Sequence, residues 1–156
     1  MLFELGARCG GGHTPQIAYH VSGVNEFIEA CRMACGIPPT QFLPSTKRGA
    51  DYRFLIFPPG KLEGVTIPDT VRCHKGILDV AVTLHPGEEV RRLRTTSERA
   101  GFAVTVACDR QASVELADWA CGQISVTYDD GTIACAYTLL DFQKSTGDLS
   151  RPLCEA

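Results

Sequence analysis

The alternation of apolar and polar residues is clearest near the C-terminus, where it predicts a β-hairpin over residues 124–139. Two alternating runs flank the sequence Asp129-Asp130-Gly131. An Asp-Gly pair favours a two-residue type I′ turn, because both central residues of that turn need a positive φ. Centring the turn on Asp130-Gly131 pairs Val126 with Cys135 and places apolar residues opposite each other on one face. Cys135 is therefore expected to lie in the core.

Apolar residues spaced three and four apart predict a helix over residues 24–35. Ser22 is its expected N-cap, and Gly36, followed by Ile37 and two prolines, marks its end. The apolar stripe of this helix is expected to face the core and contains Val24, Phe27, Ile28, Cys31 and Cys35.

Two further helices are expected in the second half of the chain. Residues 110–121 follow Asp109, a favourable N-cap, and most of them are apolar, so this helix is expected to be largely buried. Residues 87–100 carry a thinner apolar stripe, with early glutamates and later arginines that complement a helix dipole. They are expected to form the third helix.

Short apolar runs bounded by Gly and Pro predict the strands. The expected strands are 2–7, 16–21, 52–57, 77–84 and 102–108. Segments 37–51 and 58–75 are expected to be loops, with at most one short strand at 64–67. The order of elements favours an α+β fold, with a mixed, mostly antiparallel sheet and about three helices packed on it. An α/β fold with a partly parallel sheet is the alternative, since strands and helices alternate in the second half.

The length of 156 residues predicts a single domain over 1–156. A formal net charge of −3 argues against a nucleic acid or an anionic membrane as partner, because such binders carry a clear basic excess. The N-terminal residues lack the basic and apolar regions of a signal peptide, and the apolar runs are too short to span a bilayer. A cytoplasmic protein is expected.

The chain has eight cysteines, most of them at apolar positions of the predicted helices and strands. We expect them to be reduced and to pack as small hydrophobic residues, with no metal or cofactor. The alternative is a zinc site, because two cysteines four residues apart on one helical face can supply two of its four ligands. Its candidate ligands are Cys31, Cys35, Cys73 and His74, with Cys9 and His13 as further candidates.

The glycine-rich segment that runs from Cys9 to His13 is the candidate catalytic site. Cys9 is the candidate nucleophile and His13 the candidate base, with glycine N–H groups available for an oxyanion hole. A neighbouring Arg8 or a protonated imidazole lowers the pKa of such a thiol. The alternative is a plain hairpin loop between the first two strands.

A group of four arginines in the third expected helix is a candidate binding patch for an anion or an acidic partner. The arginines are Arg91, Arg92, Arg94 and Arg99. The alternative is a solvated helix face, where such charges contribute little. Lys47, Arg48 and Lys61 extend the patch only if the fold brings them near.

None of the motifs has the specificity of a P-loop, a dinucleotide fingerprint or a paired CxxC zinc site. The sequence therefore favours a protein-binding domain, of the adaptor or toxin-neutralising immunity type, with another protein as its partner. A cysteine-dependent enzyme that uses Cys9 and His13 is one alternative. A small-molecule or zinc-binding module is the other.

Overall fold

The computed structural model describes residues 9–40, 47–138 and 141 of the chain. The helices are α1 (Thr14–Ser22), α2 (Glu26–Ala34), α3 (Asp69–Arg72) and α4 (Arg110–Gln123). The strands are β1 (Gly49–Leu55), β2 (Gly60–Thr66), β3 (Ile77–Val82), β4 (Glu89–Val90), β5 (Gly101–Ala107), β6 (Ser125–Tyr128) and β7 (Ile133–Cys135). The strand expected at 2–7 and the last residue of the expected hairpin lie outside the described residues.

The described strands form two antiparallel sheets. One has the order β1-β5-β3 and the other the order β4-β2-β6-β7. Every pairing in them is antiparallel. The expected α+β class, with mostly antiparallel pairing, is confirmed, although two sheets replace the single sheet that we expected. The described strands show none of the parallel pairing that the α/β alternative requires.

The centre of the three-stranded sheet is β5, which is buried on both faces. Ala103, Val104 and Thr105 are each at most 1% exposed. Helix α4 packs across β1 and β5, and the buried Thr105 hydroxyl donates a 2.8 Å hydrogen bond to the carbonyl of Ser113 on that helix. This bond satisfies a polar group that would otherwise be costly to bury. A core cluster joins the two sheets and includes Leu55, Phe57, Leu62, Val71, Ile124 and Val126.

Several expected elements are confirmed with shifted ends. The strands expected at 52–57, 77–84 and 102–108 are β1, β3 and β5, and the short strand expected at 64–67 is the longer β2. Helix α4 begins after Asp109, whose carboxylate accepts a 2.8 Å hydrogen bond from the Ala112 N–H as an N-cap does. The helix buries its small side chains but leaves Trp119 39% exposed.

Helix α2 ends as its sequence predicts, but its expected core face is exposed. The Ile37 N–H donates to the Arg32 carbonyl at 2.9 Å, and Gly36 has a φ of +74°, so the helix ends in a Schellman motif. Asn25, not Ser22, is the N-cap. Phe27 and Ile28 are 55% and 58% exposed. Periodicity identifies the residues that share a helix face, but it does not supply the element that covers the face.

Two segments have the opposite secondary structure to the one expected. Residues 16–21 belong to α1 and are not a strand, because Pro15 in the first turn suits a helix start, where no backbone donor is needed. Residues 87–100 form the short β4 and a 3₁₀ turn (Thr96–Glu98) instead of a helix. Here Thr95 and Glu98 form a capping box, which holds Thr95 in an extended conformation.

The C-terminal hairpin is present, but its register differs by one residue from the expected one. Val126 pairs with Ala134 instead of Cys135. The turn contains three residues, because the Tyr128 N–H bonds to the Thr132 carbonyl at 2.9 Å and Gly131 has a φ of +82°. A type I turn followed by a left-handed glycine is the usual three-residue connection. Ala134 is consequently buried, and Cys135 is half-buried instead of in the core.

No helix in the described part of the chain is long and apolar enough to cross a membrane.

Candidate functional site

The glycine-rich loop leads directly into α1, where His13 occupies the N-cap position. The His13 Nε2 atom lies 3.5 Å from a carboxylate oxygen of Asp79 on β3. Its ring centroid lies 4.6 Å from that of Phe102 and 5.4 Å from that of Tyr52. A Cβ atom on Gly12 would approach the hydroxyl of Tyr52, on β1, to 2.8 Å, so the loop packs closely against β1. These contacts give His13 a packing role on the three-stranded sheet, and the expected catalytic pair of Cys9 and His13 stays a prediction.

The expected zinc ligands are not brought together. Among residues 9–40, 47–138 and 141, no three His, Cys, Asp or Glu side chains lie close enough to hold a metal ion. Cys31 and Cys35 are exposed on α2, whereas Cys73 and His74 follow α3. His74 Nδ1 accepts a 3.1 Å hydrogen bond from the Gly76 N–H. The cysteines in the described residues do not form disulfide bonds with one another.

The four arginines of the expected patch fall into two environments. Arg91, Arg92 and Arg94 line a cleft of about 400 Å³ beside β4, together with Glu89 and Glu98. Arg99 lies elsewhere, with its guanidinium carbon 3.6 Å from the centre of the Phe54 ring.

An adjoining cleft of about 440 Å³ shares part of this lining. It is formed by Leu84, Glu88, Glu89, Arg91 and Glu98. The backbone N–H groups of Arg94 and Thr95 donate hydrogen bonds to the Glu98 carboxylate and lower its pKa. These bonds favour the negatively charged form of Glu98. Carboxylates thus alternate with guanidinium groups, and we call the two adjoining clefts the mixed-charge clefts.

An ion network between β1 and α4 was not expected. Arg53 donates hydrogen bonds to Asp51, on the same strand, and to Asp118 on α4. Burial opposes the positive charge on Arg53, but the two carboxylates outweigh burial and raise its pKa. The Asp51-x-Arg53 spacing puts both side chains on one face of a strand and could have suggested their pairing. The contact with Asp118 depends on the packing of the helix.

The comparisons with known proteins discriminate among the function classes. A family model described as "L-amino acid ligase C-terminal domain 2" matches residues 53–129, which begin at Arg53 and extend just past β6. The match covers just under half of the chain. The chain is similar to a ligase domain.

Solved structures with ligase and synthetase names have the same fold. An L-amino acid ligase from Bacillus licheniformis matches with a TM-score of 0.66 and 17% identity, over 80% of this chain and 31% of that one. A phosphoribosylglycinamide synthetase from Anaerococcus prevotii matches with a TM-score of 0.58 and 10% identity, over 75% of this chain and 30% of that one. The chain therefore spans less than a third of either protein. No curated protein matches significantly.

These findings overturn the expected function. The family match points to a domain of a ligase, so a protein-binding domain of the adaptor or immunity type is wrong. The matched residues contain the arginines of the mixed-charge clefts and the Arg53–Asp118 pair, whereas Asp51, Cys9 and His13 lie before them. Sequence reasoning missed the family because the matched region carries none of the short motifs that identify enzymes by themselves.

Proposed function

We propose that the chain is a domain of an ATP-dependent ligase that acts on an L-amino acid. The observation that carries this proposal is the family match over residues 53–129. These residues include most of both sheets and all of α4, so the similarity extends across the packed core. The fold similarity to two proteins named as ligase and synthetase supports the same assignment.

The charge of the mixed-charge clefts also suits this substrate class. At neutral pH an amino acid carries an ammonium and a carboxylate group, which require an anionic and a cationic partner. Arg91 lies in both clefts with Glu89 and Glu98. Both kinds of partner are therefore present in each of the two clefts.

The test is ligase activity that depends on both ATP and an amino acid. The polypeptide that carries this domain is purified from its native cells with any bound subunits and incubated with ATP, Mg²⁺ and each L-amino acid. We expect release of phosphate or pyrophosphate together with a condensed product of the amino acid, identified by mass spectrometry. ATP turnover that no amino acid stimulates would contradict the proposal.

A matched pair of variants then tests the mixed-charge clefts. Arg91→Ala is expected to raise the KM for the amino acid by about tenfold, because a charge-assisted hydrogen bond is lost. The control is Arg72→Ala, which removes an exposed arginine at the end of α3. Equal effects of the two substitutions on KM would show that Arg91 has no specific role in binding.

A further inference from the structure

Another cleft, at the end of β5 that carries Val106 and Ala107, is lined by basic residues from three separate segments. Its volume is about 370 Å³. We call it the basic cleft, and its lining residues are His20, Arg48, Lys75, Leu78, Val106, Ala107 and Cys108. His20 comes from α1, Arg48 precedes β1 and Lys75 precedes β3. The elements that contribute these three residues meet only in the folded chain.

The strand register brings Arg48 and Lys75 to the same end of β5. Gly49 pairs with Ala107 on one side, so Arg48 lies beside the last residues of β5. On the other side the Val106 N–H donates a 2.8 Å hydrogen bond to the Gly76 carbonyl, so Lys75 flanks the same end.

Close backbone packing holds both flanking segments in place. A Cβ atom on Gly49 would lie 2.2 Å from the backbone of Asp109, and one on Gly76 would lie 2.6 Å from a methyl carbon of Leu116. The residues next to these glycines, Arg48 and Lys75, therefore extend from backbone that is fixed against β5 and α4.

The charged side chains that line the basic cleft are cationic. None of its lining residues is acidic, although the whole chain has a net charge of −3. Two carboxylates are next in sequence to lining residues. Asp79 lies 3.5 Å from the His13 imidazole, and Asp109 caps α4 through the Ala112 N–H and accepts a contact from the Cys108 thiol at 3.8 Å. The cleft also lies at the N-terminal end of α4, where the helix dipole adds a partial positive charge. Two cationic side chains that line one cleft favour an anion there.

We propose that the basic cleft binds a phosphate group. Arg48 and Lys75 match the double negative charge of a phosphate dianion. The cleft has room for a larger molecule that carries the phosphate. Free phosphate and a nucleotide share this chemistry, and binding of either does not depend on the ligase assignment.

The test is a titration of the isotopically labelled chain with inorganic phosphate, followed by NMR at constant ionic strength with chloride as the balancing salt. We expect saturable shifts of backbone amides at Lys75, Ala107 and Cys108. The Lys75→Ala substitution is expected to weaken binding by about tenfold, and the added Arg48→Ala substitution by about tenfold again. Lys61→Ala is the matched control, because Lys61 is an exposed lysine in the other sheet.

Titrations with ATP and with acetate complete the experiment. Tighter binding of ATP than of phosphate at the same amides supports the proposal and identifies a nucleotide, and equal binding supports it with phosphate alone as the recognised group. Shifts that do not saturate, acetate binding as tight as phosphate binding, or equal affinities in the Lys75→Ala and Lys61→Ala proteins would overturn it. None of these readouts uses ligase turnover, so the two proposals fail independently.

Discussion

Arg53 on β1 donates a hydrogen bond to the carboxylate of Asp118 on α4, and this contact ties the helix to the three-stranded sheet. The Arg53 side chain is 12% exposed, so the charge interaction is only partly screened by water. Elsewhere α4 packs through small side chains such as Ala117 and Ala120, which fix its distance from the sheet but not its position along it. The ion pair and the hydrogen bond from Thr105 to the Ser113 carbonyl supply that positional constraint.

Removing the carboxylate of Asp118 is expected to destabilise the fold. The Asp118→Ala substitution leaves the largely buried Arg53 side chain with Asp51 as its remaining ion-pair partner among the described residues. We expect the free energy of unfolding to fall by about 2 kcal/mol, the usual contribution of a hydrogen bond between charged groups. Urea denaturation followed by circular dichroism measures this change.

The control for this prediction is a carboxylate on the exposed side of the same helix. Glu115 accepts a 2.8 Å hydrogen bond from Gln111, one turn away. We expect Glu115→Ala to change the free energy of unfolding by less than about 0.5 kcal/mol. Similar losses for the two substitutions would mean that Asp118 contributes no more than an ordinary surface charge.

Alkaline pH is expected to destabilise the protein through two buried acids. Burial raises the pKa of the Cys121 thiol to about 12. Burial, followed by the nearby Tyr137 and Asp130, raises the pKa of Tyr128 to about 12. Unfolding returns these groups to their ordinary values near 9 and 10. Between these values and pH 12 the unfolded chain binds fewer protons than the folded protein does. The part of the folding stability that comes from the two protonated groups is therefore fully present below pH 9 and is lost as pH rises.

The measurement is the free energy of unfolding as a function of pH from 8 to 12. Each group contributes a slope of up to about −1.4 kcal/mol per pH unit in its window. Cys121→Ala and Tyr128→Phe are each expected to make the profile flatter. Val126→Ala, a core substitution on the strand of Tyr128 that removes no acid, is expected to lower the whole profile without changing its slope. A slope that survives the loss of both acids would contradict this explanation.

The elements that could be predicted from the sequence are those whose own residues determine them. Helix α4 has a strong N-cap in Asp109 and an apolar interior, and β5 is a run of small and apolar residues bounded by Gly101. The end of α2 also followed from Gly36 and Ile37, because the Schellman motif is local. In each case the interactions that fix the element lie within a few residues of it.

The errors occurred where nearby alternatives differ little in energy. The Asp129-Asp130-Gly131 sequence suits both a two-residue and a three-residue turn. The two-residue type I′ turn needs a positive φ at both central residues, whereas here the φ is positive at Gly131 and not at Asp130. The Asp130 carboxylate accepts a 2.8 Å hydrogen bond from the Thr132 N–H, which supports the longer turn. This choice moves Ala134, instead of Cys135, opposite Val126. A single turn residue therefore decides the register of the hairpin.

The candidate site was harder to predict than the fold because it depends on contacts between distant segments. Arg48 and Lys75 are 27 positions apart in the sequence, yet they flank the same end of β5. The sequence grouped Arg99 with Arg91 on the expected helix, whereas the extended backbone separates Arg99 from the clefts. Groupings of charged residues based on a helical period fail wherever the helix does not form.

Two glycines, one in β5 and one in α4, are expected to change the stability in opposite directions when replaced by alanine. A Cβ atom on Gly101 would lie 2.2 Å from the carbonyl oxygen of Ala81 on the paired strand, so Gly101→Ala forces the strands apart. We expect it to destabilise the protein by about 3 kcal/mol. Gly122 has no atom within 4 Å of such a Cβ, so Gly122→Ala is expected to stabilise α4 by about 0.5–1 kcal/mol. Thermal and urea unfolding of both variants measures the two changes in stability. A loss of stability in Gly122→Ala would contradict the second prediction.

The exposed face of α2 gives the sharpest contrast between sequence pattern and structure. If Phe27 were in the core, as its periodicity suggests, Phe27→Ala would cost about 3–5 kcal/mol. Because its side chain is 55% exposed, we expect a loss below about 0.5 kcal/mol in urea denaturation. Leu62→Ala is the positive control, since Leu62 is 1% exposed and its truncation is expected to cost about 2–5 kcal/mol. A Phe27→Ala loss as large as that of Leu62→Ala would mean that this face of α2 is buried in solution.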